Sequence, residues 1–253
     1  MNTFAKPAAV VGTMLTSGSF NGVMVLGRDP EAGREFLRTA IAQGFTAFDT
    51  APVYARGGAE EDIGSVVPRS ATVWTKVGVD ITTPLPQLDF TLDGMVRSLA
   101  GSLHRLGRDR VEAALVHNPT PRTLAGLDLE GFARHCAQTG QADRIGVSVL
   151  LPGESMPLIA GKLPPGSVVM CEADQLDPDD KATRELLEPY RLVVRSMFSG
   201  GARLREVPDD RRQQVIADRI AEITDRYAPE AVVIGARAVE HLVDYLPGPD
   251  WRS

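Results

Sequence analysis

Lysine is scarce in this chain. Only four of its 27 basic residues are lysines (Lys6, Lys76, Lys162 and Lys181), and arginine supplies the rest. A composition that uses Arg wherever any cation serves makes a Lys at the end of an apolar run a sign that a compact ammonium is needed. Cysteine is scarce too: Cys136 and Cys171 have neither metal-ligand spacing nor a disulfide framework, which suits a reducing cytoplasm. No apolar run reaches membrane-spanning length. The stretch Ala8–Leu15 is apolar behind Lys6, but Thr13, Thr16 and Ser17 interrupt it and no cleavage site follows. It is expected to be a first strand rather than a signal peptide. There is no basic surplus either, and a formal net charge of −6 offers no face for nucleic acid. No internal repeat, no low-complexity tail and no Gly-x-Gly-x-x-Gly after the first strand are present, and the last absence counts against an open doubly wound sheet.

What is there alternates with a regular period. Strands are predicted at Val10–Met14, Thr46–Asp49, Thr72–Lys76, Val111–His117, Ile145–Ser148, Val168–Cys171, Leu192–Arg195 and Val232–Gly235. Between them lie helical patterns. Asp29-Pro30 is an N-cap with proline at the first helical position, and Phe36, Leu37, Ala40 and Ile41 give the first helix an apolar face. A short helix follows from Ala59. Thr91 caps a helix lined by Val96, Leu99, Leu103 and Leu106. Further helices are expected at Gly131–Gln138, Lys181–Glu188, around Ile216, Ile220, Ile223 and Tyr227, and at Val239–Leu246. Eight strands alternating with helical patterns predict a closed (β/α)8 barrel formed by residues 1–253 as one domain.

In such barrels chemistry sits at the carboxyl ends of the strands. Asp49 ends strand two, Tyr54 follows in its loop, Lys76 ends strand three and His117 ends strand four. An ammonium beside a phenol stabilises the phenolate, so Lys76, partnered by Asp49, is expected to lower the pKa of Tyr54 from about 10. Tyr54 would then act as a general acid, with His117 donating to a carbonyl oxygen.

Asp, Tyr, Lys and His in this order, within Asp-Thr-Ala-x-x-Tyr and Val-His-Asn-Pro contexts, resemble the catalytic set of the aldo-keto reductases. The match is strong from Gly12 to about Pro119 and thinner beyond. The resemblance implies a cytoplasmic barrel enzyme that reduces a small-molecule aldehyde or ketone with NADPH, here without the family's long C-terminal tail. It places Gly12 and Thr13 at the cofactor and Ser148 beneath the nicotinamide. Arg195 stands where many members stack an aromatic ring on it. Ser196, Phe198, Gly200 and Gly201 resemble the pyrophosphate loop. Gly235, Arg237, His241 and Asp244 resemble the adenosine-phosphate segment, where Arg237 would favour NADPH over NADH. Three positions depart from the pattern. Val149 and Met170 replace the usual Asn and Gln that grip the nicotinamide carboxamide, and Tyr245 replaces a frequent Asn at the adenine. The acid–base half is intact and the cofactor half eroded, so a weak hold on NADPH is expected. Two other readings stay open: a cofactor-free lyase, dehydratase or isomerase using the same four side chains, and a non-enzymatic nucleotide-binding subunit.

Overall fold

The computed structural model describes residues 7–235, apart from 15, 17, 18, 21–24, 27, 28 and 178. Eight parallel strands form a closed barrel: β1 (Ala8–Gly12), β2 (Ala47–Asp49), β3 (Thr72–Val77), β4 (Val111–His117), β5 (Ala142–Val149), β6 (Val168–Glu172), β7 (Arg191–Arg195) and β8 (Ala231–Gly235). Each strand pairs with its neighbour in sequence, and β8 returns to β1 with Gly12 opposite Gly235. The expected (β/α)8 architecture is what the chain forms. Around the strands lie α1 (Pro30–Ala42), α2 (Gly58–Val66), α3 (Leu92–Leu106), α4 (Leu129–Thr139), α5 (Pro152–Ile159), α6 (Lys181–Leu187) and α7 (Asp209–Tyr227). The last expected helix, Val239–Leu246, lies outside the described residues.

Caps set the helix starts. Asp29 accepts from the backbone N–H of Glu31 and Ala32, Thr91 from Gly94, Asp128 from Gly131 and Asp180 from Thr183. The apolar faces of α1, α3 and α7 (Phe36, Leu37, Leu99, Leu103, Ile216, Ile220 and Ile223) pack on the outer faces of the strands. Two features were not expected from the sequence. Pro157 sits inside α5 and removes an N–H that the helix ladder would use, which hid this element from the helical pattern. The Pro-rich loop after β3 folds into a small hairpin, with Val79–Asp80 pairing antiparallel to Gln87–Leu88.

The barrel interior is layered by the two-residue period of its strands. Val10, Trp74, Ala113, Leu115, Val168, Met170, Val193, Ala231 and Val233 form an apolar inner cluster. Two residues on from Ala47, Trp74, Leu115, Met170 and Val193 stand Asp49, Lys76, His117, Glu172 and Arg195, which therefore face the mouth of the barrel. The uppermost layer is polar while those beneath it are apolar.

Candidate active site

Lys76 is 1% exposed and is held by three acceptors: Asp49 Oδ2 at 2.7 Å, Asp49 Oδ1 at 2.8 Å and the Thr50 carbonyl at 2.9 Å. Burial alone would drive the ammonium down, but the Asp49 charge, the phenol of Tyr54 and the Asp49 hydrogen bond outweigh it and raise the Lys76 pKa above its ordinary value. Lys76 stays charged, and its Nζ lies 5.2 Å from the centre of the Tyr54 ring. Asp49 is fixed in turn through its backbone carbonyl, which accepts from both the N–H and the hydroxyl of Thr13.

Tyr54 opens a short 3-10 turn, Tyr54–Gly57, directly after β2. Its ring meets that of His117 edge to face, with centroids 6.0 Å apart. The four side chains singled out in the sequence thus converge on one site at the carboxyl ends of β2, β3 and β4. The expected tuning of the phenol is corrected. Burial raises the Tyr54 pKa, Lys76 and Arg195 pull it down, and the Asp49 carboxylate that holds Lys76 works against them. The net direction is upward, because burial, helped by the Asp49 charge, outweighs the pull of the two cations. The phenol consequently keeps its proton through neutral pH.

The His117 pKa is pushed well below its ordinary value by burial, then by the positive charges of Lys76 and Arg195. The imidazole is neutral at pH 7. Its Nδ1 is buried and has no hydrogen-bond partner among the described residues. A proton on that nitrogen would go unused, so the neutral ring favours carrying it on Nε2.

A second ion pair completes the mouth. Arg195 donates to Glu172 at 2.6 Å and to Asn118 Oδ1 at 3.3 Å, and Ser148 donates to the same Asn118 oxygen at 2.9 Å. Ser196 stands next to it, with its hydroxyl 3.4 Å from the Arg195 guanidinium. The sequence reading missed Glu172 and Asn118. The alternation Val168, Met170, Glu172 would have found the first. The second adopts a left-handed backbone (φ 50°), which Asn tolerates better than most residues and which turns the chain at the end of β4.

The expected cofactor residues divide into three groups. Ser148, Arg195 and Ser196 lie at the mouth, and a Cβ on Gly235 would meet no atom within 4 Å among the described residues. Gly12 differs: a Cβ there would stand 3.0 Å from Val233 Cγ1. The Phe198 side chain is 5% exposed and packs into the outer core, which leaves only its backbone for a ligand. Gly200 and Gly201 fall in the 3-10 turn Ser199–Leu204, preceded by left-handed Ser196 and Ser199. Val149 and Met170 are both 0% exposed, Val149 in the outer core and Met170 in the inner cluster, so neither supplies a polar contact. Arg237, His241, Asp244 and Tyr245 lie outside the described residues. At the mouth Ser148, Arg195 and Ser196 offer polar groups that suit a nicotinamide nucleotide, without side-chain amides for its carboxamide.

Comparison with known proteins bears on the same reading. Residues 10–191 match the model of the aldo/keto reductase family. Over 112 residues the chain is 30% identical to aldo-keto reductase YhdN of Bacillus subtilis, covering 42% of this chain and 34% of that protein. Over 139 residues it is 29% identical to morphine 6-dehydrogenase of Pseudomonas putida, covering 55% of this chain and 45% of that one. The matched stretches thus span less than half the length of these curated relatives. Among solved structures, aldo-keto reductase AKR11C1 from Bacillus halodurans, in its holo form, superposes with a TM-score of 0.74 at 17% identity, covering 96% of this chain and 89% of that one. An aldo/keto reductase from Klebsiella pneumoniae, in complex with NADP and acetate, gives 0.65 at 21% identity, with 94% and 84% covered. At such identities the likeness is one of fold.

Proposed function

The chain belongs to the aldo/keto reductase family, and from that premise we propose that it reduces an aldehyde or ketone with NADPH, Tyr54 serving as the general acid. The observation that carries this reading is the buried Lys76–Asp49 pair lying against the Tyr54 ring, which His117 meets edge to face. NADPH, when bound, supplies hydride to the carbonyl carbon, which the side chains cannot do. Ser148, Arg195, Ser196, the backbone around Gly200, Gly201 and Gly235, and Arg237 would hold it.

The chain's own residues do the rest. A carbonyl oxygen that gains negative charge needs donors aimed at it in a site poor in water. Neutral His117, with its proton on Nε2, donates a hydrogen bond and orients the carbonyl. Tyr54, protonated at neutral pH, gives its proton to the oxygen as the alcohol forms. Lys76 stabilises the phenolate left behind and, once the reaction has used the proton, eases its return from solvent. Asp49 keeps Lys76 charged and in place. Family membership favours this hydride chemistry over the cofactor-free lyase, dehydratase or isomerase.

The test is NADPH oxidation, followed by its absorbance, with a panel of aliphatic and aromatic aldehydes and ketones. Wild type should turn over at least one of them. Tyr54→Phe should lower kcat on the order of 10²–10⁴-fold while changing KM little, as the loss of a general acid does. A Tyr54→Phe variant with near-normal kcat would place the proton donor elsewhere.

A further inference from the structure

The turn that carries Tyr54 is tied to the loop after β3 by one side chain. Arg56 Nη2 donates to the carbonyls of Thr83 at 2.9 Å and Ile81 at 3.2 Å, and its Nη1 donates to the carbonyl of Pro84. All three acceptors lie between the strands of the small hairpin, 25 to 28 residues along the chain. The backbone beneath the guanidinium is held in an uncommon conformation. Ala55 (φ 49°), Arg56 (φ 54°) and Gly57 (φ 87°) are left-handed in succession, immediately after the tyrosine. Two non-glycine residues in that region are costly and persist where their surroundings hold them there. Directly after the last clamped carbonyl comes Leu85, 68% exposed, whose own carbonyl accepts from Thr83.

We infer that Arg56 is a positioning residue that makes the loop after β3 a wall of the site, with Leu85 as its apolar contact for the carbon chain of a carbonyl substrate. The second half rests on the reductase reading and the first does not. A planar guanidinium can serve three carbonyls at once, which an ammonium on a flexible stem does poorly. With the clamp in place, the turn that carries Tyr54 and the loop after β3 are held as one body. Without it, the loop loses all three of these hydrogen bonds and keeps the apolar approach of Ile81 Cδ1 to Gly57. Specificity for the length of a substrate's apolar part is then set at Arg56 and Leu85, while proton transfer remains with Tyr54.

The clamp is tested without any substrate, by hydrogen exchange with mass spectrometry on wild type, Arg56→Ala and Arg56→Lys. Arg56→Ala should speed exchange at least tenfold in both 54–57 and 80–88 and leave the barrel strands unchanged, with Arg56→Lys between. Unchanged exchange in those two segments would overturn the clamp whatever the protein catalyses. The wall is tested with propanal and octanal as substrates and NADPH as reductant. Leu85→Ser should raise KM for octanal about tenfold, the worth of roughly two buried methylenes, with KM for propanal changed no more than about twofold, and Arg56→Ala should raise the octanal-to-propanal KM ratio by about the same factor. Equal effects on both aldehydes would overturn the wall. If wild type reduces neither, the reductase reading fails. The wall is then read from saturation-transfer NMR of 1-octanol, whose signal Leu85→Ser should weaken; an undiminished signal, or none with wild type, overturns it.

Discussion

Lys76 is asked to do two things, and they can be separated. It compensates a buried carboxylate, and it steadies a phenol. Lys76→Met removes one partner of a buried pair and leaves Asp49 uncompensated, which costs about 3–5 kcal/mol. Replacing both partners, in Asp49→Leu with Lys76→Met, removes the unpaired charge and should recover most of that loss while turnover stays absent. Denaturant melts and NADPH-oxidation rates on the two variants measure this; a double variant no more stable than Lys76→Met would show that Asp49 is solvated in solution. His117 gives a pH test. Its folded pKa lies well below the roughly 6.5 of an unfolded histidine, so between those values the unfolded chain binds a proton that the folded one does not. Stability therefore falls as pH drops below about 6.5 and is unaffected above it. Wild type should lose about 1 kcal/mol more than His117→Gln between pH 6.5 and 5.5, and equal losses would refute the buried neutral imidazole. These residues were legible in the sequence because each ends a strand in a recognisable context. Glu172 was passed over, since a carboxylate after Val-Val-Met-Cys resembles any surface acid unless the alternation Val168, Met170 is carried one step past the strand's expected end. The direction of the Tyr54 shift was not legible, since it depends on how much water the folded site excludes.

The helices were legible where a cap and an apolar period agreed, as in α1 and α3, and illegible where a local rule was broken, as by Pro157 in α5. What joins them could not be read. Glu60 on α2 is 0% exposed and is satisfied across two other elements: Thr75 of β3 donates to it at 2.6 Å and Arg105 of α3 at 2.7 Å. Arg105 also lies against Gly57, where an added Cβ would come within 2.5 Å of its Cδ, so α3 packs tightly under the Tyr54 turn. In the sequence Glu60 is one of three consecutive acids, Glu60, Glu61 and Asp62, with nothing to mark it as the buried partner of a residue 45 positions on. Arg105→Met should strand the Glu60 carboxylate and cost about 3 kcal/mol, or roughly 10 °C in Tm for a chain of this size. Because Arg105 bonds to no group at the mouth among the described residues, kcat at 20 °C should stay within twofold of wild type. A fall in kcat as large as that of Tyr54→Phe would mean that this pair positions the acid as well as joining the helices.

Across the whole molecule, the barrel separates an apolar interior from a mouth that holds two ion pairs, Lys76–Asp49 and Arg195–Glu172. This division bears on the cofactor. A nicotinamide carboxamide offers about three hydrogen bonds, and Val149 and Met170, both wholly buried among apolar neighbours, meet none of them. At roughly 0.5–1.5 kcal/mol each, the net deficit is ~1–4 kcal/mol, or about tenfold to a thousandfold in affinity. NADPH is therefore expected to bind weakly, and, if Arg237 pairs with the additional phosphate, more tightly than NADH. Trp74, 3% exposed and one step beneath Lys76, provides the fluorescence signal for a titration. Val149→Asn with Met170→Gln should tighten NADPH by at least tenfold. The same variant should melt earlier, since an amide placed in either core without a partner costs about 1–3 kcal/mol. Saturating NADPH should return part of that loss, because the ligand supplies the missing partner and binds only the folded chain. A double variant that folds yet binds NADPH no better than wild type would show that the carboxamide is held by other groups, with Asn118 and Glu172 the next to replace.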